Sequence, residues 1–529
     1  MQHTCQALGG MVVAPHHLAA QAGRDVLRDG GSAVEAMVAA AATIAVVYPH
    51  MNSIGGDGFW LVHQPGRAPW AIDASGPSAA LASREFYAGH SSIPSRGAAA
   101  ALSVAGTLSG WELALQRCAE GPGRRLPLER LLQDAIRHAR DGIVVSASQS
   151  ALTQAKLHEL RDVPGFADVF LRDARAPRPG DIVRQPALAQ TLAHLAHVGL
   201  DDFYRGSLGA SVGAELERLG SPLRTEDLRQ WRAEFVEPLQ LRVRDGVVYN
   251  LPPSTQGLAS LMILGIFERL GIAQAEGFEH IHALVESTKR AFRVRNRVVS
   301  DPRRVPQPAQ SLLLDPVLDA LAADIDPAHA LPWPEPADPG DTVWMGAVDR
   351  DGCAVSFIQS VYWEFGSGVV LRDSGITWQN RGISFSLDQR DLNVLEPGRK
   401  PFHTLNPALA LFDDGRVMPY GTMGGDGQPQ TQAAVFTRYA RFGMALQQAV
   451  DAPRWLLGRT WGDASTTLKL EARFDEALVE RLRDAGHVVE RLPQSYSDTM
   501  GHAGALVRHP DGRIEGAADA RSDGAAAAV

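Results

Sequence analysis

Cysteine is scarce in this chain. Its 529 residues include three cysteines, Cys5, Cys118 and Cys353, which lie far apart in the sequence. An odd and widely spaced set does not form a disulfide framework, and it offers no paired spacing for a zinc site. The 17 histidines are scattered too, without the HxxxH-type spacing of a metal-binding helix. We therefore expect no bound metal.

Long apolar runs and basic clusters are also missing. The most apolar stretch, residues 33–48, is interrupted by Glu35 and is too short to cross a bilayer. The N-terminal residues have neither the basic region nor the apolar region of a secretory signal. The net charge is −9, and no Lys/Arg run with interleaved aromatics suggests nucleic acid as a partner. The sequence thus predicts a soluble, cytoplasmic protein that binds neither nucleic acid nor membrane.

Predicted helices cluster early in the chain and predicted strands cluster late. Apolar residues three and four apart predict a helix from His16 to Arg28, and residues 107–237 are mainly of helical pattern. A second helix, from its cap at Ser32 to Val47, is predicted to be buried because it is rich in alanine and apolar nearly all round. Alternating patterns predict later strands at Thr342–Val348, Ala354–Val361, Gly368–Leu371, Gly375–Gln379 and Ala408–Phe412. This order predicts one α/β body in which helices cover packed sheets.

A proline-dense segment separates the two parts. Residues 302–341 include PRRVPQPAQ and LPWPEPADPGD, and such segments behave as exposed, extended linkers. Thr342 follows directly as the first residue of a predicted core strand. A threonine there is usually just a good strand residue. Its position after an accessible linker makes the Asp341–Thr342 bond a candidate for cleavage.

Cleavage before Thr342 changes the chemistry of that residue. The new α-amine, with a pKa of about 7.7–8.0, lies within reach of the hydroxyl and can accept its proton. One residue then supplies both a nucleophile and a base. An acyl transfer also needs donors for an oxyanion, and the loop GTMGGDG (Gly421 to Gly427) lies between a predicted strand and a predicted helix. A plain tight turn is the alternative, whereas a phosphate cradle lacks its GxxxxGK[ST] pattern.

Further motifs occur in a fixed order along the chain. They are GGSAVEAMVAAAATIAVVYPHMNSIGGDGFWLV, ARDGIVV, LPPSTQGL, DTVWMGAVDRDGCAVSF, FGSGVV, SGITWQN, NPALAL, GTMGGDG, DAPRW and GAADARSD. In this order they resemble the γ-glutamyltranspeptidase family along nearly the whole chain. The resemblance implies the four-layer αββα fold of the N-terminal-nucleophile hydrolases. It also implies a precursor that cleaves itself into a large fragment, 1–341, and a small fragment, 342–529, which stay together as one domain.

The resemblance assigns roles by motif position. Thr342 corresponds to the nucleophile, with Asp341 before the cleaved bond. Gly424 and Gly425 correspond to the glycines of the oxyanion hole. Ser360 stands where the family has a threonine close to the nucleophile. The implied mechanism needs no cofactor.

The substrate end of the site departs from the family pattern. No arginine follows Asp73 to hold a glutamyl α-carboxylate, and His403-Thr404 replaces a serine pair. Ser384 stands in place of the aspartate that takes the α-amine, and Tyr362 in place of an asparagine. We therefore expect that specificity for γ-glutamyl groups is lost.

Arg381, which follows Asn380, occupies a position that faces the pocket in the family. Its guanidinium can hold a carboxylate through two hydrogen bonds. We expect Asn380, His403, Thr404 and Tyr362 to complete the substrate site. A structural ion pair of Arg381 with Asp388 or Asp391 is the alternative, and the aromatic residues are otherwise core.

The predicted substrate is thus a small amide that carries a carboxylate and no α-amino group. The pattern is similar to the oxamate amidohydrolase branch of the family, whose members act in purine and allantoin catabolism. The expected reaction is the hydrolysis of oxamate to oxalate and ammonia. A γ-glutamyl hydrolase or transpeptidase, a cephalosporin-type acylase, and an uncleaved, inactive binding homologue are the alternatives. A homo-oligomer of the two-fragment unit stays open.

Overall fold

The computed structural model describes residues 3–120, 125–333, 341–458 and 465–529, with Asp341 described by its backbone alone.

Helix α2 illustrates how the local sequence determines an element of the fold. Ser32 caps its first turn in a capping box with Glu35, and every residue of this alanine-rich helix is buried. The helices of the described residues are α1 (His17–Arg28), α2 (Ala33–Val47), α3 (Thr107–Ala119), α4 (Leu128–Asp141), α5 (Ala147–Leu160), α6 (Phe166–Phe170), α7 (Pro186–Val198), α8 (Asp202–Arg205), α9 (Ser207–Leu219), α10 (Thr225–Gln230), α11 (Gly257–Arg269), α12 (Phe278–Val298), α13 (Asp315–Ala323), α14 (Gly427–Phe436), α15 (Leu446–Asp451) and α16 (Glu476–Asp484).

Strands occur along the whole length of the described chain. They are β1 (Cys5–Ala7), β2 (Gly10–Ala14), β3 (Asp57–His63), β4 (Trp70–Ala74), β5 (Ile143–Val144), β6 (Ile182–Val183), β7 (Glu234–Val236), β8 (Leu239–Val243), β9 (Gly246–Asn250), β10 (Asp341–Asp349), β11 (Ala354–Tyr362), β12 (Ala408–Phe412), β13 (Val417–Thr422), β14 (Trp455–Leu457), β15 (Leu468–Leu470), β16 (Val489–Arg491), β17 (Ala503–Arg508), β18 (Ile514–Ala518) and β19 (Ala525–Ala528).

Two seven-stranded antiparallel sheets form the centre of the described structure. Sheet I has the order β19-β2-β10-β11-β3-β4-β7, and sheet II has the order β1-β18-β17-β13-β12-β9-β8. A three-stranded sheet (β14-β15-β16) and a two-stranded sheet (β5-β6) lie outside them. Strands from before and after position 341 therefore pair within the same sheets.

Alternation along the strands fixes the layers. On β12, Leu409 packs into a core shared by the two sheets, whereas Ala410 packs against α11 and α12. On β2, Met11 joins the shared core and Val12 packs with α1 and α2. Because successive side chains point to opposite faces of a sheet, the order of layers is helix, sheet I, sheet II, helix. The four-layer αββα prediction is confirmed.

Two predicted strands are wrong. Residues 368–371 and 375–379 form loops that are joined by an isolated bridge between Val370 and Thr377. Each stretch begins with a glycine, and Gly368 and Gly375 have positive φ, which interrupts a regular ladder. The predicted linker is also wrong in part, because it contains the helix α13, whose Leu318 is buried. Residues 334–340 of that linker lie outside the described residues. No helix within the described ranges is both long and apolar enough to span a membrane.

Candidate active site

The predicted nucleophile lies where the ends of three neighbouring strands of sheet I come together. Antiparallel pairing brings the start of β10, the end of β11 and the start of β3 together. Ser360 on β11 is the register partner of Asp57 on β3. The register shifts between Asp341 and Val343, so that Thr342 lies in a bulge opposite the end of β11. Bulges of this kind redirect a side chain next to active sites.

Thr342 is completely buried and its hydroxyl is held by helix α14. Gln428 Nε2 donates a hydrogen bond to Thr342 Oγ1 at 3.3 Å. The amide oxygen of Gln428 in turn accepts from Asn406 Nδ2 at 3.2 Å. This chain of bonds fixes which end of the Gln428 amide faces Thr342, and it places a donor on the hydroxyl.

The glycine loop places two backbone amides at the N-terminus of α14. Gly424 and Gly425 have φ angles of 113° and 52°, a conformation that side chains rarely adopt. Their carbonyl groups accept bonds from the first turn of α14, at Gly427 N and Gln428 N. Within the described residues, the amides of Gly424 and Gly425 donate to no other group. Two unused amides at a helix N-terminus form a site for negative charge.

A buried ion pair fixes this glycine loop to helix α12. Arg295 Nη1 donates to Asp426 Oδ1 at 2.6 Å, and Nη2 lies 3.2 Å from Asp426 Oδ2. The same guanidinium donates to Gln256 Oε1, and Gln256 Nε2 donates to the carbonyl of Gly425 at 2.9 Å. Helix α12 thus contributes a buried ion pair that supports the site.

Arg381 lies in the substrate end of the site and is almost fully buried. Its guanidinium carbon is 3.6 Å from the centre of the Tyr362 ring, and Nη2 donates to Thr404 Oγ1 at 3.4 Å. Tyr362 has a φ of 82°, an unusual backbone conformation for an aromatic residue. A guanidinium stacked on a ring presents its N–H groups in one plane, which suits a carboxylate.

The two carboxylates considered as partners of Arg381 contact other groups. Asp388 pairs with Arg390 at 2.8 Å, and Asp391 accepts a bond from the amide of Asn393. The predicted neighbour Asn380 is buried, but its side chain holds the backbone: Nδ2 donates to Ser95 O, and Oδ1 accepts from Trp363 N. The hydroxyl of Ser360 likewise accepts from the amide of Tyr362 at 2.8 Å.

Asp57 and His403 form a further buried pair beside Arg381. Asp57 Oδ2 lies 3.4 Å from His403 Nε2. Burial raises the pKa of Asp57 to about 7, although a bond from the Gly76 amide and the charge of Arg381 oppose the rise. Burial also holds the pKa of His403 well below its usual value, and the charges of Arg381 and Lys400 act in the same direction. His403 is therefore neutral near pH 7, while Asp57 titrates there.

A cavity of about 640 Å³ lies beside Tyr362, the residue on whose ring Arg381 stacks. Tyr362 and Ser384 line it, together with residues from the segments 91–95 and 383–388. The Ser384 hydroxyl donates to the carbonyl groups of Arg381 and Phe402. The cavity therefore borders the part of the chain that carries Arg381, and it is large enough to admit a small substrate.

The structure brings together the predicted Thr342, Ser360 and glycine pair at one end and Arg381, Tyr362, His403 and Thr404 at the other. Sequence reasoning missed Gln428, Asn406, Asp57 and Arg295. The position of Gln428 directly after the glycine loop was a usable signal, since first-turn residues of such a helix face the site. Asp57 lies within the GGDG motif (residues 55–58), where only the glycines were given a role. A Cβ on Gly56 would lie 2.0 Å from the carbonyl oxygen of Ser360, which explains the glycine.

Away from this site, His282, Glu286 and His487 come close enough to hold a metal ion. Glu286 is already paired with Lys289 at 2.7 Å and with Arg290. His282 Nδ1 lies 2.9 Å from His487 Nε2, a hydrogen-bond distance. Two cations on the carboxylate disfavour a divalent ion, so that this cluster is better described as a buried ion-pair network.

Comparisons with known proteins show the family and the fold of this chain. The family model described as Gamma-glutamyltranspeptidase matches residues 19–529. The chain is 58% identical to the oxamate amidohydrolase proenzyme of Klebsiella pneumoniae over 98% of each chain. It is 41% identical to the glutathione hydrolase-like YwrD proenzyme of Bacillus subtilis, again over 98% of each chain. Among solved structures, a cephalosporin acylase from Bacillus halodurans matches with a TM-score of 0.91 and 32% identity, over 100% of this chain and 97% of that chain.

Proposed function

This chain belongs to the γ-glutamyltranspeptidase family, as its motifs predicted, and on that premise we propose that it is a self-processing hydrolase of a small, carboxylate-bearing amide, with oxamate as the substrate. The predicted class of enzyme, an amidohydrolase, is confirmed by the relatives described above. The observation that supports the proposal is a set of buried bonds that links these groups: Gln428 donates to Thr342 Oγ1, and Gln256 Nε2 donates to the carbonyl groups of both Gly425 and Thr404. Thr404 in turn accepts from the stacked Arg381.

Self-cleavage uses the hydroxyl of the same threonine. Thr342 Oγ1 attacks the carbonyl carbon of Asp341, the bond to the Thr342 nitrogen breaks, and an ester replaces the amide. Water then hydrolyses the ester and leaves a free α-amine on Thr342. The fragments are residues 1–341 and 342–529.

Turnover repeats this chemistry on the substrate. The α-amine takes the proton of the hydroxyl as Oγ1 attacks the substrate amide, and the amides of Gly424 and Gly425 stabilise the oxyanion. The amine returns the proton to the leaving nitrogen, so that ammonia departs from an acyl-enzyme. Water, deprotonated by the same amine, releases the acid and restores Thr342.

Arg381 explains the choice of substrate in this proposal. Its guanidinium, held on the Tyr362 ring and by Thr404, binds the carboxylate next to the scissile amide. Asp73 pairs instead with Lys400 at 2.8 Å, and the segment after it supplies no arginine for a glutamyl group. A substrate without an α-amino group therefore suits the site.

A denaturing gel and a substrate comparison test the proposal. The purified chain should give fragments of 341 and 188 residues, while Thr342→Ala should stay intact. Processed enzyme should release ammonia from oxamate and show little activity on a γ-glutamyl anilide or a cephalosporin side-chain amide. A full-length band that persists on incubation would instead favour an inactive binding homologue. Preference for γ-glutamyl anilide would favour the glutathione hydrolase alternative.

Replacement of Arg381 tests the carboxylate assignment. We expect Arg381→Met to raise KM for oxamate by about 100-fold or more, because loss of a buried charge-assisted pair costs about 2–5 kcal/mol. Arg390→Met is the matched control, because Arg390 is an exposed arginine that pairs with Asp388. An unchanged KM in Arg381→Met would remove Arg381 from the substrate site. A cytoplasmic location and a role in purine catabolism stay predictions.

A further inference from the structure

The carboxyl group of Asp57 is only half satisfied by the protein around it. Its Oδ1 accepts three bonds, from the amides of Gly76 and Gly106 and from Gln379 Nε2, each at 3.1 Å. Its Oδ2 accepts none from the described residues and faces His403 Nε2 at 3.4 Å. A small rotation of either side chain closes this distance into a hydrogen bond.

The ring of His403 is completely buried, yet neither of its nitrogens bonds to another described group. Phe59 packs edge-on against the ring, with 5.0 Å between centroids. The next residue, Thr404, accepts a bond from Arg381. A buried nitrogen without a partner is costly, so that a polar ligand is the natural partner of Nδ1 once Asp57 takes Nε2.

Few charges surround this pair. The titratable and charged groups that act on it are Arg381 on one side, Lys400 with its partner Asp73 on another, and the buried phenol of Tyr204. Tyr204 stays neutral, because burial raises its pKa well above the usual value. Lys400 is fixed by Asp73 and by Glu234. The group that changes charge near neutral pH is therefore Asp57.

We propose, on the basis of the function proposed above, that Asp57 is a positioning residue that selects the tautomer of His403 and thereby makes binding of the substrate carboxylate depend on one proton. When Asp57 carries the proton, Oδ2–H donates to Nε2, and the Nδ1–H of His403 donates to the substrate. When Asp57 is ionised, Nε2–H donates to Oδ2, and the lone pair of Nδ1 faces the carboxylate.

The consequence is a defined dependence of KM on pH. A substrate carboxylate stays ionised throughout the neutral range, so that its own titration does not contribute. Burial raises the pKa of Asp57 to about 7, which places the switch in the accessible range. Above that pH, KM for oxamate should rise by about tenfold per pH unit, because one proton is lost from the binding-competent form. The neutral diamide oxamide should show no such rise.

Asp57→Asn is an informative variant, because the site determines its orientation. The three donors around Oδ1 require an oxygen there, so that the new NH2 group faces His403 Nε2 and donates to it. His403 is then held with a proton on Nδ1 at every pH. We expect Asp57→Asn to cleave itself, and to keep a KM for oxamate that is independent of pH between 6 and 9.

Asp349→Asn is the matched control. Asp349 is a buried carboxyl whose pKa is also raised by burial, but it lies at the far end of β10, where it accepts from the amides of Ala33 and Cys353. This variant should keep the wild-type rise of KM. Should Asp57→Asn fail to cleave, His403→Gln is measured instead, and it should show a raised KM that no longer depends on pH.

The outcomes separate this inference from the proposed function. A wild-type enzyme that releases no ammonia from oxamate at any pH overturns the proposed function. A wild-type enzyme that hydrolyses oxamate with a KM independent of pH overturns the role of Asp57 alone. The role of Asp57 is also overturned if Asp57→Asn, or His403→Gln in its place, retains the wild-type rise of KM with pH. The kcat profile, which follows the Thr342 amine, should be common to wild type and Asp57→Asn.

Discussion

The side chain of Gln428 links the nucleophile, through Asn406, to Ser260 on helix α11. It donates to Thr342 Oγ1 at 3.3 Å and accepts from Asn406, whose own amide oxygen accepts from Ser260 Oγ at 2.7 Å. Each member of the chain therefore orients the next, and the last bond aims the reactive hydroxyl. Such a bond is worth about 0.5–1.5 kcal/mol in stability, but misplacement of a nucleophile by 1 Å costs about 100-fold in rate.

We predict that Gln428→Leu lowers kcat for oxamate by about 10- to 100-fold and slows self-cleavage to a similar extent, with a smaller effect on KM. Ammonia release and a time course on a denaturing gel measure the two effects. Gln185→Leu is the control, because Gln185 is a buried glutamine that donates to Val46 O, on α2. Equal rates for wild type and Gln428→Leu would show that Gln428 does not aim the hydroxyl.

Individual site residues differed in how far the sequence could reveal them. Thr342 and the glycine pair are marked by local signals, a linker that meets a strand and a loop that meets a helix. The pairing of Asp57 with His403 has no local signal, because it depends on two sheets that pack face to face. A position of Arg381 that faces the pocket was predicted from its motif, while its stacking on Tyr362 depends on a backbone turn with positive φ at Tyr362.

Helix α12 supports the active site through the side chain of Arg295. The helix lies in the outer layer against sheet II, and Arg295 reaches from it to Asp426 and Gln256. Asp426 directly precedes α14, so that the ion pair fixes the position of the helix N-terminus and of the amides before it. Breaking a buried pair from one side is strongly destabilising, by about 3–5 kcal/mol.

Arg295→Met should therefore lower kcat by about 100-fold through a misplaced oxyanion site, and should also lower the thermal midpoint of unfolding. Steady-state kinetics and a thermal melt on the same preparation give both values. Arg297→Met, on the same helix, is exposed and should change neither. A variant that loses stability but keeps the wild-type kcat would separate the ion pair from the oxyanion loop.

Elements with a strong local pattern were predictable, and those that depend on their neighbours were not. The predicted bounds of β12 are those observed, and α2 begins after its predicted cap at Ser32. The strands β1, β2 and β19 were not predicted, because each is short and β19 consists of four alanines. Their strand conformation comes from pairing: β1 pairs with β18, and β2 pairs with β10 and β19.

At the scale of the whole molecule, both sheets are shared between the two proposed fragments. In sheet I, β2 of the large fragment lies between β19 and β10 of the small one, and β3 pairs with β11. In sheet II, β1 and β9 of the large fragment flank four strands of the small fragment. Separation would break the hydrogen-bond ladders and open the shared core, so that cleavage alone cannot release a fragment.

We predict that cleaved protein elutes as one species in size-exclusion chromatography, at the position of uncleaved Thr342→Ala, and separates only in denaturant. The measurement compares the two proteins on one column, followed by a denaturing gel of each fraction. Thr342→Ala is the control for shape. Two separated native peaks of 341 and 188 residues would contradict shared sheets.

The DAPRW and GAADARSD motifs meet in a buried ion-pair cluster that closes the small fragment. Arg454 Nη2 lies 2.5 Å from Asp519 Oδ2, and Arg521 bridges Asp519 at 3.0 Å and Glu471 at 2.5 Å. Burial alone would raise the pKa of Asp519, but the two guanidinium groups overcome it and lower the pKa to about 2. The family motifs are therefore structural here, and they hold the end of sheet II on the β14-β15-β16 sheet.

This cluster should set the acid stability of the whole molecule. Because the folded pKa of Asp519 lies below its unfolded value of about 3.9, its contribution of about 2 kcal/mol is present above pH 4 and is lost as pH falls towards 2. Asp519→Asn should lower the free energy of unfolding most at pH 7. The difference in this free energy between variant and wild type should be smaller by about 1 kcal/mol at pH 3. Asp349→Asn should show the opposite trend, because the pKa of Asp349 is raised by burial and its stability contribution is lost as pH rises. Urea unfolding of both variants in a Thr342→Ala background, which keeps the chain in one piece, measures these differences. If Asp519→Asn lowers the free energy of unfolding equally at pH 7 and pH 3, the cluster does not determine the loss of stability in acid.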